Sequence, residues 1–129
     1  MTFENIIASL AKELGLDMSA EDGTASFRVQ TESGRQVEVS IFTMDDGESV
    51  ELCAELGEVP SEGAGDLMLR MLEANHLFYS TGGATLSVDE GHIKLERYAG
   101  IVEFERGDGT KIASRFLDTA KMWADIVAC

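Results

Sequence analysis

Apolar residues recur along this chain with two alternating periods, and the changes of period mark out its elements. Phe3, Ile6, Ile7, Leu10 and Leu14 are spaced by three and four, so a helix over these residues carries them as one stripe. Thr2 precedes it as a natural N-cap and Gly15 follows as a stop. The period then shortens to two. Ala25, Phe27 and Val29, then Val37, Val39 and Ile41, then Val50, Leu52, Ala54 and Leu56 alternate with polar residues, which predicts three strands with one covered and one wetter face. Glu32-Ser33-Gly34 and Asp45-Asp46-Gly47 separate them as hairpin turns.

The breakers of Pro60 to Asp66 end this pattern, and a second helix is predicted from near Asp66 to about Leu77. Leu67, Met68, Leu69, Met71 and Leu72 cover more than one side of it, so it lies between two apolar surfaces: two layers of one chain, or one layer and a neighbouring subunit. Asn75 is polar on this apolar helix and, if buried, must find a hydrogen-bond partner at the helix end or in the Gly turn that follows. After Ser80-Thr81-Gly82-Gly83 the period is again two. Ala84, Leu86 and Val88 lead through Asp89-Glu90-Gly91 to Ile93 and Leu95, a second hairpin. Residues 98–109 fit strand, loop or early helix. A terminal helix follows with Ile112, Phe116, Ala120, Trp123 and Val127 on one stripe and Asp108 as N-cap.

A chain of 129 residues with this order of elements is expected to form a single α+β domain. Cys53 and Cys129 are its only cysteines, one in a strand and one at the C-terminus, so a reducing compartment is expected and a structural disulfide is not. No run of about 18 apolar residues is present, and no basic region followed by an apolar run opens the chain. A cytoplasmic location without membrane insertion is therefore expected. Twenty-four acidic residues against ten basic ones give a net charge of −14, which repels nucleic acid and anionic lipid and serves either solubility alone or the drawing in of a basic or neutral polypeptide.

Candidate chemistry is sparse. Asp45, Asp46 and Glu48 lack the spaced oxygen ligands and central glycine of an EF-hand. His76, His92, Cys53 and Cys129 form no pair with metal-site spacing. Gly107 to Lys111 falls short of a phosphate loop, and no serine sits in a G-x-S-x-G elbow. Glu73 and His76 stand three apart on the second helix, but without a third orienting group they read as a solvated face. No enzyme, metal or other cofactor is expected.

The run Met71-Leu72-Glu73-Ala74-Asn75-His76-Leu77-Phe78, the turn Gly82-Gly83-Ala84-Thr85-Leu86 and the ending Phe116-Leu117 with Ala120 and Trp123 resemble the class I type III secretion chaperones, the Tir chaperone family of small acidic homodimers. The resemblance implies an antiparallel sheet with three helices in the order α-β-β-β-α-β-β-α. It also implies a non-catalytic chaperone that holds the N-terminal region of a secreted effector in extended form. On that reading Phe3, Ile7 and Leu10 of the first helix and Val29, Val39 and Ile41 of the sheet contact the effector, part of the helical stripe staying exposed for it. Met68, Leu69, Met71, Leu72 and Leu86 form the homodimer interface. The alternative is a regulatory or sensory protein-binding domain of the same architecture.

Overall fold

The computed structural model describes residues 2–78 and 81–128, the side chain of Leu77 excepted. Ser80 and Cys129, both named above, lie outside the described residues. Helix α1 spans Phe3–Leu14 and is capped as its sequence predicts. The Thr2 hydroxyl accepts a hydrogen bond from the Asn5 backbone N–H at 3.1 Å, Asn5 Oδ1 reaches back to the Thr2 backbone, and Gly15 ends the helix at a φ of 66°. Strands β1 (Thr24–Gln30), β2 (Gln36–Met44) and β3 (Ser49–Glu58) follow as an antiparallel meander. A 3-10 turn at Asp45–Gly47 makes the second hairpin.

Helix α2 covers Ala64–Asn75 and passes into a 3-10 turn at His76–Phe78. Strands β4 (Thr85–Asp89) and β5 (His92–Gly100) form a hairpin whose two connecting residues, Glu90 and Gly91, both have positive φ. That is the backbone of a type I′ turn, whose twist matches that of the strands. β5 inserts beside β3, so the five-stranded antiparallel sheet has the order β1-β2-β3-β5-β4, with β1 and β4 at its edges. The ambiguity over residues 98–109 resolves in two parts. Tyr98 to Gly100 complete β5, and Ile101–Glu105 form a short helix α3, closed by the Glu103 carboxylate accepting from the Gly100 N–H at 2.9 Å. Helix α4, Gly109–Ala128, ends the fold, so a fourth helix of five residues is added to the three expected.

One face of the sheet is apolar because its alternate residues are, and α4 lies across β1, β2 and β3 on that side with α1 packed against α4. Val39, Val50, Ala54, Ile93, Leu95, Ala120 and Ala124 at the centre are inaccessible to solvent. Gly109 is required where α4 begins: a Cβ there would lie 2.2 Å from Phe104 Cδ1, so the start of α4 can approach α3 only without a side chain. β3 carries an irregularity between Glu55 and Gly57, with Gly57 at a φ of 142°.

Candidate partner-binding surfaces

The three residues of α1 expected to meet a partner are committed to the chain's own core. Ile7 is 1% exposed and Leu10 3%, and Phe3 is buried with them. Val29, Val39 and Ile41 of the sheet are buried as well, beneath the helical layer. Helical spacing places Phe3, Ile7 and Leu10 on one side of α1, and the structure shows that side closed over by the rest of the fold rather than left partly open.

The residues expected at a dimer contact divide into two groups. Met71 and Leu86 are buried where α2 packs on β4, and Met68 is partly buried against the same core. Leu69 and Leu72 point away from it, at 58% and 67% exposure. α2 is thus apolar on two sides, with one side covered by its own chain.

Asn75, at the end of α2, explains how the helix is held. Its Nδ2 donates to the Leu86 carbonyl at 2.9 Å and its Oδ1 accepts from the Leu86 N–H at 2.8 Å. The side-chain amide therefore takes the place a neighbouring strand's peptide group would occupy, and it closes the middle of the β4 edge.

The other edge is open beyond Thr24 among the described residues. Thr24 exchanges backbone hydrogen bonds with Glu21 at 2.8 and 3.0 Å, so its peptide groups face away from β2, whereas Gly23 and Thr31 bond to Thr43 and Arg35 on the β2 side. Antiparallel pairing alternates strictly, so Ser26, Arg28 and Gln30 also direct their N–H and C=O groups outward. Among the described residues no strand pairs with that side of β1. This feature escaped the sequence, because alternation reveals strands but not which strand ends a sheet.

The helix-free face of the sheet is polar and carries a cross-strand cluster. Glu51 stands opposite Tyr98, and Cys53 opposite Glu96, on β3 and β5. Glu51 and Glu96 share a hydrogen bond, and Ser87 on β4 donates to Glu96 at 2.8 Å. Two carboxyls in contact cannot both ionise at the ordinary pH. The hydrogen bond to Glu96, with partial burial and the charge of Glu96, raises Glu51 to about 7, while the same hydrogen bond holds Glu96 below the usual carboxylate range. Burial and the adjacent carboxylates push the Cys53 thiol up to about 11, which keeps it in the unreactive protonated form.

The residues considered for chemistry remain scattered. Glu73 and His76 are both exposed, and among the described residues no hydrogen bond joins their side chains. Asp45 accepts from the Ser49 hydroxyl at 2.7 Å within its own turn. Among the described residues no group of three or more His, Cys, Asp or Glu is arranged to hold a metal ion, and no helix is long and apolar enough to cross a membrane.

A polar sheet face, an edge strand with no strand on its outer side among the described residues, and a helix with a bare apolar side mark out this small α+β fold. The chain belongs to the Tir chaperone protein (CesT) family, whose profile matches residues 5–124. Solved structures agree on the fold. A chain of the heterodimeric ExoU–SpcU complex from the type III secretion system of Pseudomonas aeruginosa superposes with a TM-score of 0.66, at 21% identity over 94% of this chain and 93% of that one. A chain of the HopA1–SchA chaperone–effector complex gives 0.66 at 13% identity, covering 95% and 90% of the two chains. A chain from the Yersinia pestis secretion chaperone SycH bound to a fragment of YscM2 gives 0.64 at 15% identity, covering 92% and 97%. No curated protein sequence matches the chain.

Proposed function

We propose that the protein is a cytoplasmic type III secretion chaperone that binds the N-terminal region of an effector and keeps it extended, without catalysis and without a cofactor. Membership of the CesT family over residues 5–124 carries this reading, and a solved complex of like fold, HopA1–SchA, is one of chaperone with effector. Physically, the effector adds a strand to the sheet through backbone hydrogen bonds, as extended peptides do at exposed edges. The edge that receives it is β1, since Asn75 already occupies the middle of the β4 edge. Val29, and behind it Val39 and Ile41, then support the strand from beneath as core residues. The chain acts as one domain and as a homodimer, its second copy covering Leu69 and Leu72.

The test joins capture to topology. The protein retained from the native host is identified, its N-terminal fragment is expressed, and binding to the wild-type chain is compared with binding to Arg28→Pro. Proline at position 28 removes an outward N–H without breaking the β1–β2 ladder, so the variant should fold and lose capture. Undiminished capture by a folded Arg28→Pro chain would reject strand addition at β1. Light scattering after size exclusion tests the dimer: Leu72→Glu should halve the mass while leaving the circular dichroism intact, because Leu72 is exposed within the chain.

A further inference from the structure

Two large open clefts lie at opposite ends of the β1 edge. One, of about 650 Å³, is bounded by Gln30 and Glu32 at the end of β1 and by Asp118, Lys121 and Asp125 of α4. The other, of about 510 Å³, lies between the connection after α1 and the start of β1, bounded by Asp17, Glu21, Asp22, Thr24 and Ser26. The first presents three carboxylates and one ammonium, the second three carboxylates and no cation. Asp125 accepts from the Ser33 hydroxyl, which, with Thr31 and the Arg35 guanidinium nearby, holds its carboxyl below the usual range. Midway between the clefts the charge cancels: Arg28 stands directly opposite Glu38 of β2.

An extended segment laid along Ser26, Arg28 and Gln30 would therefore pass from acidic through neutral to acidic ground. On the reading that β1 receives the client strand, we propose that the segment it takes carries basic side chains at both ends of an uncharged middle, with one end in each cleft. Ser26 and Gln30, which border the two clefts, stand about 14 Å apart at ~3.4 Å per residue. At that rise the basic residues of the segment lie at least about four positions apart. Both ends count because each cleft holds its own excess of carboxylates, so the pattern reads spacing as well as charge.

Three synthetic peptides of equal length, with one alternating Val-Thr core and lysine, glutamine or glutamate at both ends, test this on the full chain by fluorescence anisotropy. The lysine peptide should bind at least about tenfold tighter than the glutamine peptide, and the glutamate peptide should bind weakest. High salt should shrink the gap, since exposed charges are screened beyond about 8–10 Å. Neutralising one cleft by Asp17→Asn with Glu21→Gln, or the other by Glu32→Gln with Asp118→Asn, should narrow the lysine-to-glutamine gap. The exposed pair Glu62→Gln with Glu90→Gln, which borders neither cleft, should leave it unchanged. Equal binding of all three peptides, lost in Arg28→Pro, would overturn the basic-ended segment while strand addition at β1 stands. Binding that survives Arg28→Pro would overturn strand addition itself. A lysine preference that persists after both clefts are neutralised would assign it to the overall charge of −14 and overturn the inference. Absence of binding by every peptide at about 1 mM would overturn both.

Discussion

Replacing Ile7 by Asp separates a core role for α1 from a role in docking. Ile7 is 1% exposed, so the substitution removes a buried branched side chain worth about 1.5–3 kcal/mol. The new carboxyl then has no water and no cation, and at pH 7 it is cheaper to protonate it than to bury its charge. Holding an aspartic acid neutral about three pH units above its ordinary value costs about 4 kcal/mol. The neutral acid still lacks full hydrogen bonding, so the loss reaches about 6 kcal/mol, a large part of the 5–15 kcal/mol that stabilises a typical domain. Urea unfolding followed by circular dichroism measures it. Ile7→Asp should be unfolded or nearly so, Ile7→Val should lose about 0.5–1.5 kcal/mol and keep client capture, and Ala8→Asp, exposed on the same helix, should stay within about 1 kcal/mol of wild type. An Ile7→Asp chain as stable as wild type would show that this side of α1 is open, and the burial argument would fall with it.

Asn75→Leu should cost about 2–4 kcal/mol, because both the N–H and the C=O of Leu86 lose their partner, and the Leu86 amide should exchange faster with deuterium; unchanged exchange there would refute the edge-closing role. Gly109→Ala should destabilise by about 1–3 kcal/mol through collision with the Phe104 ring, and Phe104→Leu should relieve part of it; equal melting temperatures of wild type and Gly109→Ala would refute the contact. Stability should also depend on pH through the shared proton of Glu51 and Glu96. Glu51 is raised from 4.5 to about 7, so its contribution is fully present below pH 4.5 and is lost as pH rises through about 7. Glu96 is lowered, so its contribution is present above pH 4.5 and is lost in more acid solution. Glu51→Gln should flatten the decline in melting temperature between pH 4.5 and about 7, and identical slopes in the two proteins would refute the proton sharing.

What the sequence made legible is what period and punctuation encode. The strands of Val37, Val39 and Ile41 or of Ile93 and Leu95 alternate over their whole length, and their turns carry the glycines that positive φ requires at Gly34 and Gly91. Asn75 was legible as a residue in need of partners, and it found them eleven residues away. What stayed hidden depends on distant pairing. Periodicity groups Ile7 with Leu10 on one side of α1 but says nothing of what lies above them, and here it is the fold itself. Likewise Glu51 and Glu96 are brought together only because β5 enters the sheet between β3 and β4, past an irregularity at Gly57 that shifts the register. That same insertion sets the two edges. It leaves β4 outermost, where the end of α2 can reach and close it, and it leaves β1 at the far side, where no strand among the described residues pairs with the outward peptide groups of Ser26, Arg28 and Gln30. The edge best suited to accept a strand is thus chosen by strand order and by one amide side chain, while the apolar residues that first suggested a docking surface hold that edge in place from below.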